Sequence, residues 1–228
     1  MFGLYIHVPF CPQRCPYCAF VTVVGHEEWH ERYCKAVEAE VAMASFANAD
    51  GPLDSVFFGG GTPSHVAAEN LETILEAAAK RFGVRADAEI TLEANPDAVD
   101  VSRFSQMKSI GVNRLSIGAQ SFADGSLKML GRLHSGDEAL SAYDNARRVG
   151  FDNVSIDLIF GVPGVPDSDW EQSIRTAIAL DPEHISTYGL TVEEGTALYE
   201  KQRRGRWQSV SEKTACWATE HAVGLLQS

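Results

Sequence analysis

Cys11-Pro12-Gln13-Arg14-Cys15-Pro16-Tyr17-Cys18 places three thiols within eight residues, spaced C-x3-C-x2-C. Pro12 and Pro16, with Pro9 just before them, oppose a continuous helix through the cysteines. A loop can aim three thiolates at one point; a strand cannot, because its side chains alternate between faces. A disulfide would leave one cysteine over. A structural zinc site needs four ligands, no second C-x2-C or H-x3-H follows, and Cys34 and His7 are the near candidates for a fourth. An iron–sulfur cluster fits best. Four thiolates complete a 4Fe–4S cube, so three leave one iron open to a substrate. The metal-ligand expectation is therefore Cys11, Cys15 and Cys18.

Three further stretches carry chemistry. Gly59-Gly60-Gly61-Thr62-Pro63 is glycine-rich but lacks the Gly-Lys-Ser/Thr of a phosphate loop, and Ser64 stands where G-x-G-x-x-G needs its last glycine. It reads either as a tight strand-to-helix turn or as backbone that a ligand approaches closely, with carbonyls accepting from an ammonium group. Glu93 ends an apolar run just before Asn95-Pro96, where a carboxylate is commonly solvated or a helix cap; it can also grip a pair of hydroxyls. Asp157 sits in Ile156-Asp157-Leu158-Ile159-Phe160, where a buried charge is costly unless paired. Arg132 and Arg114 are candidate partners for it, a structural ion pair being the rival to a ligand-binding role. The histidines are scattered, with no Ser-His-Asp or Glu-x-x-His arrangement, and His7 is expected to pack or hydrogen-bond beside the cysteines.

The elements that must hold these residues alternate. Strands are expected at Leu4–Val8, Ser55–Phe58, Glu89–Glu93, Arg114–Gly118, Val154–Ile159 and His184–Leu190. Helices are expected at Glu27–Phe46, Ala67–Phe82, Ser102–Ile110, Leu127–Leu130, Asp137–Val149 and Asp167–Leu180. In the first helix Trp29, Tyr33, Val37 and Val41 form an apolar stripe at four-residue spacing, with Cys34 beside it as a small buried hydrophobe. Such alternation predicts an α/β fold of parallel strands with right-handed crossovers. The chemistry-bearing segments all follow strands, at the sheet's carboxyl edge, where both barrels and open sheets place their sites. Pattern alone leaves both architectures open. Two more helices, Thr196–Arg204 and Ser211–Leu226, follow without another strand.

The 228 residues are 45% hydrophobic and 22% charged, an ordinary globular composition that allows one large domain, or one domain and a fragment. Lys plus Arg number 19 against 31 Asp plus Glu, a formal net charge of −12, which argues against nucleic-acid binding. The basic run Lys201 to Arg206 reads as a solvated helix end. No apolar run approaches the roughly 18–20 residues of a membrane span, and no signal peptide is legible. Five cysteines, three of them clustered, suit a reducing compartment, so a cytoplasmic location is expected.

Tyr5-Ile6-His7-Val8-Pro9-Phe10-Cys11, followed by Cys15 and Pro16-Tyr17-Cys18, resembles the radical S-adenosylmethionine (SAM) superfamily. Within it the chain is most similar to the group containing oxygen-independent coproporphyrinogen III oxidase and the HemW heme chaperones, through Tyr5–Phe20, Ile117–Phe122, Leu130–His134 and Ile156–Pro163. The resemblance runs from Leu4 to about Glu194 and implies a partial (β/α)6, TIM-like barrel. Residues 1–195 would form the radical SAM core, and residues 196–228 the helical start of a C-terminal domain, truncated within it.

The same resemblance implies that SAM binds the open iron through its amino and carboxylate groups, and that a cluster electron splits the sulfonium to a 5′-deoxyadenosyl radical. Gly60, Gly61 and Thr62 would meet the SAM methionine, Glu93 the ribose, and Tyr5 and Tyr17 would flank SAM near the cluster. Gln120, Arg132 and Asp157 match positions around a second SAM in the oxidase branch, and the resemblance places Thr191 beside them. The implied reductant is of the flavodoxin or ferredoxin kind.

Two functions from different classes follow. One is a chaperone that binds heme and hands it to an acceptor protein. The other is an oxidase that decarboxylates two propionates of coproporphyrinogen III. The oxidase branch carries a further cysteine two residues after the third; here that position is Phe20, as in the chaperone branch. The chaperone's His-Asn-x-x-Tyr-Trp motif would lie beyond Ser228. A radical SAM enzyme that modifies tRNA is a more distant reading, opposed by the acidic charge.

Overall fold

The computed structural model describes residues 2–44 and 51–227. Six strands form one sheet: β1 (Gly3–Val8), β4 (Leu53–Gly60), β5 (Val84–Ala94), β6 (Arg114–Gln120), β7 (Val154–Phe160) and β8 (His184–Gly189). Two short strands after β1, namely β2 (Phe10–Cys11) and β3 (Val23–Val24), pair with each other. The large sheet runs in the order β1-β4-β5-β6-β7-β8, and every pairing is parallel. That order decides the architecture. A doubly wound sheet reverses direction part-way, whereas strands laid down in one direction by right-handed crossovers put their helices on one side. Among the described residues β1 and β8 do not pair, so the sheet is an open, partial barrel.

The two faces of the sheet differ because side chains alternate along each strand. Ile6, Phe58, Leu92, Leu115 and Val154 are register partners across five strands, and all are buried. This row faces the helices. One residue along, the opposite face carries Tyr5, Phe57, Thr91 and Arg114 in register, then Glu93, Ser116 and Ser155. Asp157 lies two residues beyond Ser155 and therefore belongs to this polar, concave face. A strand that reads as almost wholly apolar is two-sided.

The covering helices are α1 (His30–Met43), α2 (Ala68–Phe82), α3 (Val101–Ser109), α4 (Asp124–Met129), α5 (Gly136–Val149) and α6 (Asp167–Ala179). α2 buries Leu71, Ile74, Leu75 and Ala78, the i, i+3, i+4, i+7 stripe of an amphipathic helix, and Gly83 ends it at φ 75°. α5 opens on a capping box between Ser135 and Glu138 and closes at left-handed Gly150. The last two helices are α7 (Ala197–Arg203) and α8 (Glu212–Leu226). α8 lies on α6, where Trp170 Nε1 donates to the Ala218 carbonyl at 2.9 Å.

One expectation needs correction. A short 3-10 turn, Glu27–Trp29, precedes α1, and Trp29 leaves the apolar stripe. It is exposed and stacks on His26 with ring centroids 3.8 Å apart. The expected end of that helix at Phe46 lies outside the described residues. Cys34 is a core residue as expected, 1% exposed, with burial raising its thiol to about 11.

Candidate functional site

The cysteine loop leaves the carboxyl end of β1 and rests on the loop that leaves β4. Gly61 N–H donates to the Val8 carbonyl at 2.8 Å, and Thr62 N–H to the Phe10 carbonyl at 2.7 Å. A Cβ on Gly61 would lie 2.6 Å from the Pro9 backbone. Gly60 has φ 114°, and a Cβ there would strike the His7 ring. The glycines thus make the close approach of two backbones possible. His7 completes the junction: Nε2 is 2.9 Å from the Val21 carbonyl oxygen, and Tyr33 donates to the His7 carbonyl at 2.7 Å.

The three cysteines are all half-buried. Burial is the largest effect raising the Cys11 and Cys18 thiols, and each is also raised by its cysteine neighbours. Three thiolates this close repel one another unless a cationic group joins them, so the donor set fits a metal centre. Among the described residues no three Cys, His, Asp or Glu side chains converge as ligands of one ion do. Thr62, 2% exposed, points its hydroxyl at Cys11 Sγ (3.5 Å) and accepts from Asn95 Nδ2 (3.0 Å).

Below the cysteines the polar face holds two carboxylates. Glu93 accepts from Gly60 N–H at 3.0 Å. Burial pushes its pKa up to about 7, the Gly60 hydrogen bond opposes the shift, and the Asp157 charge adds to it. Asp157 accepts from Ser116 Oγ at 2.8 Å and Ser155 Oγ at 3.3 Å. Burial raises it, while the hydroxyls of Ser116, Ser186 and Ser155 and the Arg114 charge pull the other way. The expected ion pair with Arg132 or Arg114 is not formed. Arg114 turns to Thr91 and Glu89, and Arg132 to Cys15 and Asn95. Serine hydroxyls solvate Asp157 instead.

Tyr5 stacks on Phe57 at 6.0 Å beside these carboxylates and stays half-exposed. Burial and the Glu93 charge raise its phenol. Tyr17 lies on the other side of the cysteines, its pKa pushed well up by burial and partly restrained by Arg132. Gln120 ends β6 at φ 63°. A non-glycine residue there costs on the order of 1–2 kcal/mol, and it coincides with the register shift between Ile117 and Gln120. The structure therefore places Tyr5, Gly60, Gly61, Thr62, Glu93, Gln120 and Asp157 along the carboxyl edge and concave face, and brings Thr62, Arg132 and Tyr17 to the cysteines themselves.

Sequence reasoning missed several of the supports. Asn95 bridges Thr62 and Arg132. Gln13 Nε2 donates to the Gly131 carbonyl at 2.7 Å, and Leu198 N–H to the Pro16 carbonyl at 2.8 Å. Ser116, Ser155 and Ser186 share one face by even spacing along their strands and by register, a signal that strand alternation could have supplied.

The family model of the radical SAM superfamily matches residues 5–177. The heme chaperone HemW of Bacillus subtilis is 37% identical over 207 residues, covering 90% of this chain and 55% of that protein. HemW of Escherichia coli is 39% identical over 199 residues, 85% of this chain and 52% of that one. A mouse relative, radical S-adenosyl methionine domain-containing protein 1, mitochondrial, is 39% identical over 205 residues, 89% and 46%. The chain thus spans about half the length of the curated relatives it matches. Among solved structures, coproporphyrinogen III oxidase (HemN) from Escherichia coli superposes with a TM-score of 0.84 at 23% identity, over 99% of this chain and 52% of that one. That likeness is one of fold.

Proposed function

The chain belongs to the radical SAM superfamily, and from that premise we propose that it is the cluster- and SAM-binding part of a HemW-type heme chaperone. The observation that carries the metal reading is the half-buried thiol triplet, docked on Gly61 and Thr62 at the carboxyl edge of the strands. Cys11, Cys15 and Cys18 would hold a 4Fe–4S cluster, and Tyr5, Gly60, Gly61, Thr62 and Glu93 would bind SAM beside it. When bound, the cluster supplies single electrons to the SAM sulfonium. This chain's residues orient the ligand. The Glu93 carboxylate is fixed by Gly60 N–H, Tyr5 offers an aromatic wall, and Gln120 and Asp157 border the concave face. Residues 1–195 are proposed as the core, with 196–228 beginning a further domain.

Phe20 favours the chaperone over the oxidase. It stands 68% exposed two residues past Cys18, where the oxidase branch has a thiol. A phenyl ring can neither donate a proton nor form a covalent link. Similarity to HemW over 90% of the chain supports the same reading. Heme, a heme-acceptor protein and a flavodoxin- or ferredoxin-type reductant are the proposed partners, and the cytoplasm the proposed location. Among the described residues no helix is long and apolar enough to cross a membrane.

The test is an anaerobic assay of the full-length protein with coproporphyrinogen III, SAM and a strong reductant, run beside a heme titration. Saturable heme binding without protoporphyrinogen formation is expected. Multiple turnovers without heme binding would reassign the protein to the oxidases. Reconstitution should give about four irons per chain. Each of Cys11→Ala, Cys15→Ala and Cys18→Ala should lose them, while Cys34→Ala and Cys216→Ala keep them.

A further inference from the structure

Arg132 is a half-buried cation whose hydrogen bonds to Cys15, Asn95 and Gly118 go to a thiol and to neutral oxygens. Its Nη1 lies 3.3 Å from Cys15 Sγ, and its Nη2 lies 2.7 Å from Asn95 Oδ1 and 3.3 Å from the Gly118 carbonyl oxygen. Its Nε is buried with no hydrogen-bond partner. No carboxylate stands within ion-pair distance of it among the described residues. A guanidinium so placed is costly unless a negative charge lies beside it, and the Cys15 sulfur, in contact with Nη1, is a group able to carry one. Burial alone would lower the Arg132 pKa; Tyr17, Cys15 and the more distant Asp97 carboxylate reverse that.

The placement is held from several directions. Gly131, at φ 66°, lets the turn close on Pro16: a Cβ there would lie 2.8 Å from the proline ring. Gln13 ties the Gly131 carbonyl to the cysteine loop. Asn95, anchored through Thr62 to Cys11, fixes one arm of the guanidinium. The fork is therefore aimed before any ligand arrives.

We propose that Arg132 is a positioning residue that raises the reduction potential of the cluster held at Cys15, by donating Nη1–H to that sulfur and placing its charge beside it. This rests on the cluster reading above. Hydrogen bonds to sulfur and local charge are two of the levers that set iron–sulfur potentials. Adding an electron to an already anionic cluster is easier beside a fixed cation.

The experiment is a potentiometric titration of the reconstituted full-length protein without SAM, using dithionite and mediators and following the reduced cluster by electron paramagnetic resonance. About four irons in the wild type establish the cluster reading independently. Arg132→Gln should then shift the oxidised-to-reduced ratio at fixed potential about tenfold toward oxidised, about 59 mV for a one-electron couple. Arg132→Lys, which keeps the charge but not the fork, should fall between. Asn95→Ala, which frees one arm, should move the midpoint the same way by less, and it carries the test if Arg132→Gln holds no iron. An unmoved midpoint in every variant that holds iron overturns the proposal, as does loss of iron in all three, which would leave the clamp purely structural.

Discussion

Glu93 carries a stability cost beside the SAM-binding role proposed for it. Its folded pKa of about 7 lies above the ordinary glutamate value of 4.5, so the folded chain favours the protonated form. Below pH 4.5 the group is neutral in both states and costs nothing. As pH rises from 4.5 to 7 the unfolded chain ionises first and stability falls, by about 3 kcal/mol in all. Glu93→Gln keeps an acceptor for Gly60 N–H and removes the charge. The ligand-free variant should melt above wild type at pH 8 and coincide with it at pH 4, as read by thermal unfolding. Equal melting at pH 8 would mean the carboxylate is better solvated than its setting implies. The same variant should bind SAM more weakly by roughly 1.5–3 kcal/mol, the worth of a hydrogen bond to a charged group, measured by calorimetry.

At the scale of elements, the cysteine loop and the glycine loop form one unit. Gly61→Ala places a methyl against the Pro9 backbone, which cannot rotate aside. The two backbone hydrogen bonds from Gly61 and Thr62 should lengthen, costing about 1–3 kcal/mol. The expected readout is reduced iron uptake together with a lower denaturant midpoint. α5 offers a control away from the metal. Ser135→Ala removes the hydroxyl half of its capping box and should cost about 1 kcal/mol, with iron uptake unchanged.

For the whole molecule, the strand order predicts a gradient of local stability. β5, β6 and β7 are paired on both sides, whereas β8 is an edge and its residues are largely exposed. Hydrogen exchange should therefore be slowest in β5–β7 and faster in β8. The apolar face holds the core together. Leu92→Ala, in the middle of its buried row, should cost about 2–5 kcal/mol and lower stability without touching the polar face. Protection in β8 equal to that in β6 would indicate that something covers the edge.

The sequence by itself determined the elements, the thiol triplet and the parallel, alternating order. Those depend on local periodicity, on proline and glycine placement, and on residues adjacent in the chain. Legible too were Cys34 as a core residue and α2 with its glycine stop. Tertiary structure alone decided what lies between distant segments. Singly wound order chose a barrel over a doubly wound sheet. Register put Asp157 among serines from neighbouring strands instead of opposite an arginine. Arg132, 117 residues from Cys15, reached its sulfur only because β6 and the turn after α4 return to the cysteine loop. Spacing along the chain reports which residues share a face; which faces meet depends on pairing and packing, and those exist only in the folded molecule.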